Sequence, residues 1–154
     1  MGELAVIYDR NNRFLGMGLF DPDSPLRVRM LHLGKPVSLD EAWWWERLRA
    51  ALERRGYSVV QATSGAAGLQ QLSNGTYAGV ISDIRMPGEI NGADVHKWIR
   101  SHRPELSERI ILISGDTANS ETQSLLSNST TPCIEKPFRV QQLISTVETT
   151  FGKP

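Results

Sequence analysis

The sequence of 154 residues contains a single cysteine, Cys133, and only three histidines. One cysteine excludes an internal disulfide, and these residues show no zinc-ligand spacing. No apolar run is long enough to cross a bilayer and no signal-peptide pattern opens the chain, so we expect a cytoplasmic protein without a membrane role. Lysine plus arginine balances aspartate plus glutamate, at 17 each, so no global charge favours nucleic acid.

A short apolar run at 79–84 contains Asp83 and turns at once through Met86, Pro87 and Gly88. A run bounded in this way predicts a buried parallel strand that brings one carboxylate to the carboxyl edge of a sheet. Open α/β folds bind their ligands at that edge. An isolated aspartate before a turn more often has a structural role, so a functional role for Asp83 needs support from other parts of the chain.

Two further runs repeat this design. The run 109–113 ends at Ser114 and Gly115, and the run 131–135 ends at Lys136 before a proline. An acid, a hydroxyl and a cation therefore follow three successive predicted strands. Because the carboxyl ends of parallel strands share one edge, we expect Asp83, Ser114 and Lys136 to converge.

Residues 47–151, with these three side chains and the Met86-Pro87-Gly88 and Lys136-Pro137-Phe138 motifs, resemble the receiver domain of two-component response regulators. The resemblance implies a flavodoxin-like α/β fold with a parallel sheet, and phosphorylation of Asp83 by a sensor histidine kinase or a phosphotransfer protein. It further implies an Mg²⁺ ion held by Asp83 and the backbone carbonyl of Arg85. Lys136 would balance the phosphoryl charge and Ser114 would bind a phosphoryl oxygen, whereas an independent enzyme activity is not expected.

The first third of the chain has a different pattern. Strand-like runs at 4–8, 13–20 and 26–33, separated by turn-forming residues, predict an antiparallel β meander, which a receiver does not contain. Its motifs 2–9, 18–29 and 34–36 resemble part of the PUA-type domain of large-subunit ribosomal RNA cytosine-C5 methyltransferases. We therefore predict a PUA-like fragment at 1–37 and a receiver-like domain at 38–154.

The pair of adjacent acids that ends the first strand of a receiver and holds Mg²⁺ is missing. Asp40 and Glu41 lie near the required distance before the next helix, but the residues before them make a poor strand. Alternatively, Asp9 follows a good apolar run, as a single acid. Helix initiation by Asp40 and a turn at Asp9 are the ordinary interpretations, so the Mg²⁺ site is expected to be weak.

The remaining pattern alternates strands and helices, which is typical of a parallel sheet with right-handed crossovers. Helices are predicted at 38–55, 66–73, 93–101, 120–127 and 138–151, and a strand at 57–62. In the receiver order the first strand lies between the second and third. If the meander replaces or disrupts it, two sheet edges are exposed, which predicts a homodimer or a strand swap.

Two other functions compete with signalling. The basic residues of the first third could bind structured RNA, although RNA is not the favoured partner. The chain could also be a chimera of unrelated segments that folds without an evolved function. Cys133 stands three residues before Lys136, where receivers usually carry Tyr or Phe, and is interpreted as a small apolar residue rather than a redox sensor.

Overall fold

The structure is a computed structural model that describes residues 3–23, 25, 27–86, 88–115, 123, 130–136 and 138–154. Its contacts divide the chain into two compact units, Met1–Trp45 and Glu46–Pro154, with the division inside a helix. Among the described residues, no helix is long and apolar enough to span a membrane. The predicted helix at 120–127 falls outside the described residues, apart from Gln123.

The first unit contains an antiparallel sheet of three strands, β1 (Glu3–Tyr8), β2 (Phe14–Phe20) and β3 (Val28–Leu33), in the order β1-β2-β3. The turn between β1 and β2 is held by Asp9, whose Oδ1 accepts the backbone N–H groups of Asn11 and Arg13 at 2.8 Å each. Asn12 takes a positive φ of 60° in this turn, which asparagine tolerates. The predicted meander is thus confirmed.

Helix α1 (Glu41–Glu53) begins later than the sequence indicates. The N–H of Trp43 donates to Oδ1 of Asp40 at 2.9 Å, so Asp40 rather than Ser38 satisfies an N-terminal N–H. The helix ends where Gly56 adopts a φ of 90°, a backbone conformation open to glycine.

The second unit contains a parallel sheet of three strands, β4 (Val80–Asp83), β5 (Ile110–Ser114) and β6 (Cys133–Glu135), in the order β4-β5-β6. Among the described residues, the helices after α1 are α2 (Gly65–Asn74), α3 (Gly92–His102) and α4 (Val140–Phe151). A 3₁₀ turn at Pro104–Leu106 follows α3. The predicted α/β fold with a parallel sheet is therefore present.

Helices cover both faces of this sheet. On one face Leu72, Val95 and Ile99 from α2 and α3 pack with Ile110 and Leu112 of β5. The other face is covered by α1 and α4, in a cluster that comprises Leu52, Ile111, Ile134, Leu143 and Val147. All five residues of β5 are buried, as expected for a central strand with helices on both sides.

The prediction of a strand at 57–62 is wrong: none of these residues belongs to a strand of the structure. Tyr57 and Val59 nevertheless pack against the α1 and α4 side of the core. In the receiver order this segment pairs only with the first strand, and no strand occupies that place among the described residues of the second unit. Without a neighbour to accept its backbone hydrogen bonds, the segment forms no ladder.

Candidate functional site

Asp83 ends strand β4, and its carboxylate contacts two groups among the described residues. Lys136, directly after β6, donates a hydrogen bond from Nζ to Oδ2 of Asp83. The backbone N–H of Arg85 donates to Oδ1 at 3.1 Å. The Asp83 and Lys136 side chains are 32% and 45% exposed, so this ion pair is accessible to a molecule from solvent.

Ser114 lies at the end of the central strand, between the two charged residues. Asp83 is paired in register with Ile113, the residue before Ser114, and Ser114 with Glu135, the residue before Lys136. The backbone N–H of Lys136 donates to the Ser114 carbonyl at 2.7 Å. Ser114 is 1% exposed. The structure thus brings together the acid, the alcohol and the amine singled out in the sequence.

Gly92 allows helix α3 to begin directly against the end of β4. A Cβ at this position would lie 2.1 Å from the carbonyl oxygen of Asp83 and 2.8 Å from Cα of Ile84. Asn91 caps the helix: its side chain accepts the N–H groups of Ala93 and Asp94, while Asp94 accepts the N–H of Asn91. Sequence reasoning missed this close approach, although an Asn-Gly pair before a helical pattern was available as a signal.

His96 on α3 is a second residue that sequence reasoning did not assign. It is 3% exposed, and its Nε2 lies 3.0 Å from Oγ1 of Thr131, near the start of β6. Burial, with a smaller contribution from the positive charge of Arg100, lowers the pKa of His96. His96 is therefore a neutral side chain that links α3 to the chain before β6.

The candidate metal ligands differ in what they do. Asp9 holds the β1–β2 turn and Asp40 caps α1, the structural roles that the sequence also allowed. The side chain of Glu41 lies outside the described part of the chain. Among the described residues no group of three His, Cys, Asp or Glu side chains is arranged to hold a metal ion. The metal roles of Asp9, Asp40, Glu41 and Arg85 therefore stay predictions.

Cys133 packs against the α2 and α3 side of the core. Burial raises the pKa of its thiol, and the nearby Glu135 carboxylate raises it further. A raised pKa lowers the fraction of the thiol that is present as the reactive thiolate at neutral pH.

Comparison with protein families gives two matches that divide the chain. The response regulator receiver domain matches residues 40–148, and a PUA-like domain matches residues 1–33. The receiver match covers well over half of the chain and includes Asp83, Ser114 and Lys136. The chain therefore joins stretches similar to two unrelated families.

Two individual relatives are a methyltransferase and a sensor kinase. A ribosomal RNA large subunit methyltransferase of Deinococcus radiodurans is 49% identical over 94 residues, which cover 52% of this chain and 22% of that protein. The sensor kinase CckA of Brucella abortus is 30% identical over 105 residues, covering 67% of this chain and 11% of the kinase. The chain thus spans about a fifth and about a ninth of these two relatives.

A solved structure supports the fold assignment. The receiver domain of sensor histidine kinase PA1611 from Pseudomonas aeruginosa, with a magnesium ion coordinated in its active-site cleft, superposes with a TM-score of 0.62. The match has 19% sequence identity and covers 73% of this chain and 92% of that domain. With the family match over residues 40–148, it follows that the chain belongs to the response regulator receiver domain family.

Proposed function

We propose that this protein is a receiver module of two-component signalling that accepts a phosphoryl group on Asp83. The observation that carries the proposal is the ion pair between Asp83 and Lys136 beside Ser114, at the carboxyl edge of the parallel sheet. Phosphoryl transfer to a carboxylate needs a nucleophile, a positive charge and a hydrogen-bond donor for the phosphoryl oxygens. The carboxyl edge of this sheet supplies all three.

The chemistry is set by the positions of these groups. A carboxylate oxygen of Asp83 forms a bond to phosphorus while the bond between phosphorus and the donor breaks. From acetyl phosphate the leaving group is acetate; from a phosphohistidine it is imidazole, which takes up a proton from solvent. Lys136 serves as a fixed point charge for the phosphoryl oxygens, and the Ser114 hydroxyl donates a hydrogen bond to one of them once the aspartyl phosphate has formed.

The oxygen ligands at this site only partly fit the Mg²⁺ ion that membership of this family implies. Oxygen ligands suit Mg²⁺, and the Asp83 carboxylate with the Arg85 carbonyl would supply two of them. Among the described residues no group of three His, Cys, Asp or Glu side chains is arranged to hold a metal ion, so we expect weak binding by this chain alone. When bound, Mg²⁺ draws charge from the phosphoryl oxygens.

Incubation with acetyl phosphate and Mg²⁺, with intact-mass measurement of the product, tests the proposal. We expect the wild-type protein to gain the mass of one phosphoryl group and Asp83→Asn to gain none. Lys136→Gln should gain it more slowly than wild type because the fixed positive charge is lost. A wild-type chain that gains no mass at high donor concentration would make this a receiver fold without phosphoacceptor function.

The partner is defined by the same chemistry. A donor with a phosphorylated histidine, either a sensor histidine kinase or a phosphotransfer protein, would supply the phosphoryl group; the similarity to part of a sensor kinase supports this assignment. We assign the signalling role to residues 38–154 and treat 1–37 as a PUA-like fragment. A homodimer or a strand swap would pair with the edge of β4 that has no strand neighbour among the described residues of the second unit.

A further inference from the structure

Strand β4 has a sheet neighbour on one side only, among the described residues of the second unit. The N–H of Val80 donates to the carbonyl of Arg109, just before β5, and the N–H of Ile84 donates to the carbonyl of Ile113 in β5, at 2.8 Å each. In a parallel ladder the alternate residues, Ile81 and Asp83, direct their backbone groups to the opposite edge. That edge is ready to pair with a further strand, and it ends at the proposed phosphoacceptor.

At the end of this edge Lys136 contacts the Asp83 carboxylate, and no group of three His, Cys, Asp or Glu side chains among the described residues is arranged to hold a metal ion. A strand that pairs in parallel with β4 and ends in an acid would correct both deficits, because its carboxyl end would lie beside Asp83. The required segment is apolar, extended and ends directly before Asp or Glu.

Strand β1 has these properties. It is an edge strand of its own sheet, and its apolar residues Leu4, Val6 and Tyr8 are 54%, 46% and 54% exposed. Asp9 is the next residue in the chain. The two hydrogen bonds that the Asp9 side chain accepts in the turn both reach Oδ1, so Oδ2 takes part in neither of them.

We propose that β1 of a second copy of this chain pairs in parallel with the edge of β4 and that Asp9 of that copy completes the cation site at Asp83. The proposal rests on the proposed function of Asp83. Reciprocal pairing of two copies would complete one cation site in each copy.

The register supports this pairing. With Asp9 beside Asp83, Val6 lies beside Val80 and Ile7 beside Ile81. Val80 belongs to the face of the sheet covered by α2 and α3. Since side chains alternate along a strand, the exposed row of Leu4, Val6 and Tyr8 falls on that face. Pairing would therefore bury the apolar side chains that the single chain leaves in water.

The oligomeric state and its dependence on β1 test the pairing. We expect light scattering to find wild type as a dimer that Val6→Lys dissociates, because the charge enters the buried row. Leu33→Lys is the matched control: Leu33 lies on β3, at the other edge of the same sheet, and is 68% exposed. It should leave the dimer intact. A monomeric wild type that is phosphorylated overturns the proposal.

Mixing two inactive variants tests whether Asp9 acts across copies. Asp9→Asn keeps an oxygen for the turn but loses the charge, and Asp83→Asn removes the acceptor. We expect each alone to accept little or no phosphoryl group from acetyl phosphate, and the mixture to label the Asp9→Asn chain, identified by an affinity tag. If wild type is phosphorylated but the mixture leaves the Asp9→Asn chain without a phosphoryl group, the proposal is overturned. A dimer that Val6→Lys dissociates but that never takes label supports the pairing and contradicts the function of Asp83 instead.

Discussion

The imidazole of His96 and the hydroxyl of Thr131 form a partly buried hydrogen bond, with 3.0 Å between Nε2 and Oγ1. His96 belongs to α3, the helix that begins against the Asp83 carbonyl, whereas Thr131 lies just before β6, the strand that leads to Lys136. The bond therefore joins the two elements that position the ion pair. Its loss should affect the stability of the unit around the site.

Replacing Thr131 with Val removes this bond at nearly constant volume. We expect Thr131→Val to lower the free energy of unfolding by about 1–3 kcal/mol, because a buried imidazole nitrogen loses its partner. Thr131→Ser keeps the hydroxyl and is the control, with a smaller expected loss. Urea unfolding of the three proteins measures the effect, and a Thr131→Val protein as stable as wild type would contradict this role of the hydrogen bond.

The lowered pKa of His96 predicts a specific dependence of stability on pH. A depressed pKa means that the unfolded chain takes up a proton at a higher pH than the folded chain does. Above the ordinary histidine pKa of about 6.5, His96 is neutral in both states and its contribution is complete; below it, stability falls. His96→Gln should therefore lose less stability than wild type when the pH is lowered from neutral towards the folded pKa. Parallel acid-dependent losses would contradict this.

The contact of Gly92 with the β4 backbone predicts a strong substitution effect. Gly92→Ala should destabilise the protein by about 1–3 kcal/mol, since the added Cβ would overlap backbone atoms of Asp83 and Ile84 that cannot move independently. Gly68→Ala, inside α2, is the control because its Cβ would meet only Ala62, at 3.7 Å. That change should be neutral or stabilising, by up to about 1 kcal/mol. Thermal unfolding compares the two.

Cys133 should react slowly with thiol reagents in the folded protein. Its partial burial and raised pKa both reduce the thiolate available for reaction. We expect alkylation by iodoacetamide at neutral pH to be much slower in buffer than in denaturing urea. A folded-state rate equal to that in urea would show an accessible, reactive thiol, contrary to the interpretation of Cys133 as a packed apolar residue.

The three-residue site could be predicted from the sequence because each part has a local signal. An apolar run ends at each of Asp83, Ser114 and Lys136. Parallel strands joined by right-handed crossovers bring such positions to one edge of the sheet. The antiparallel meander was similarly visible in its turn residues. These features depend on short-range pattern and on a general rule of α/β topology.

The remaining features depend on neighbours that the sequence pattern does not reveal. Residues 57–62 have the composition of a strand but form no ladder, since a strand requires a partner and not only a suitable sequence. The hydrogen bond between His96 and Thr131 joins residues 35 positions apart, and the contact of Gly92 with Asp83 appears only when the backbone is placed. The sequence pattern therefore predicts most helices and strands. It does not predict which strands find a partner or which side chains meet between them.

The position of the phosphoryl group after reaction with acetyl phosphate shows whether Asp83 is the phosphoacceptor. Borohydride reduction converts an aspartyl phosphate to homoserine, which peptide mass spectrometry then assigns to one position. If Asp83 is the phosphoacceptor, we expect homoserine at position 83 and at no other acidic residue. Homoserine at a different aspartate, or none in a protein that remains folded, would contradict it.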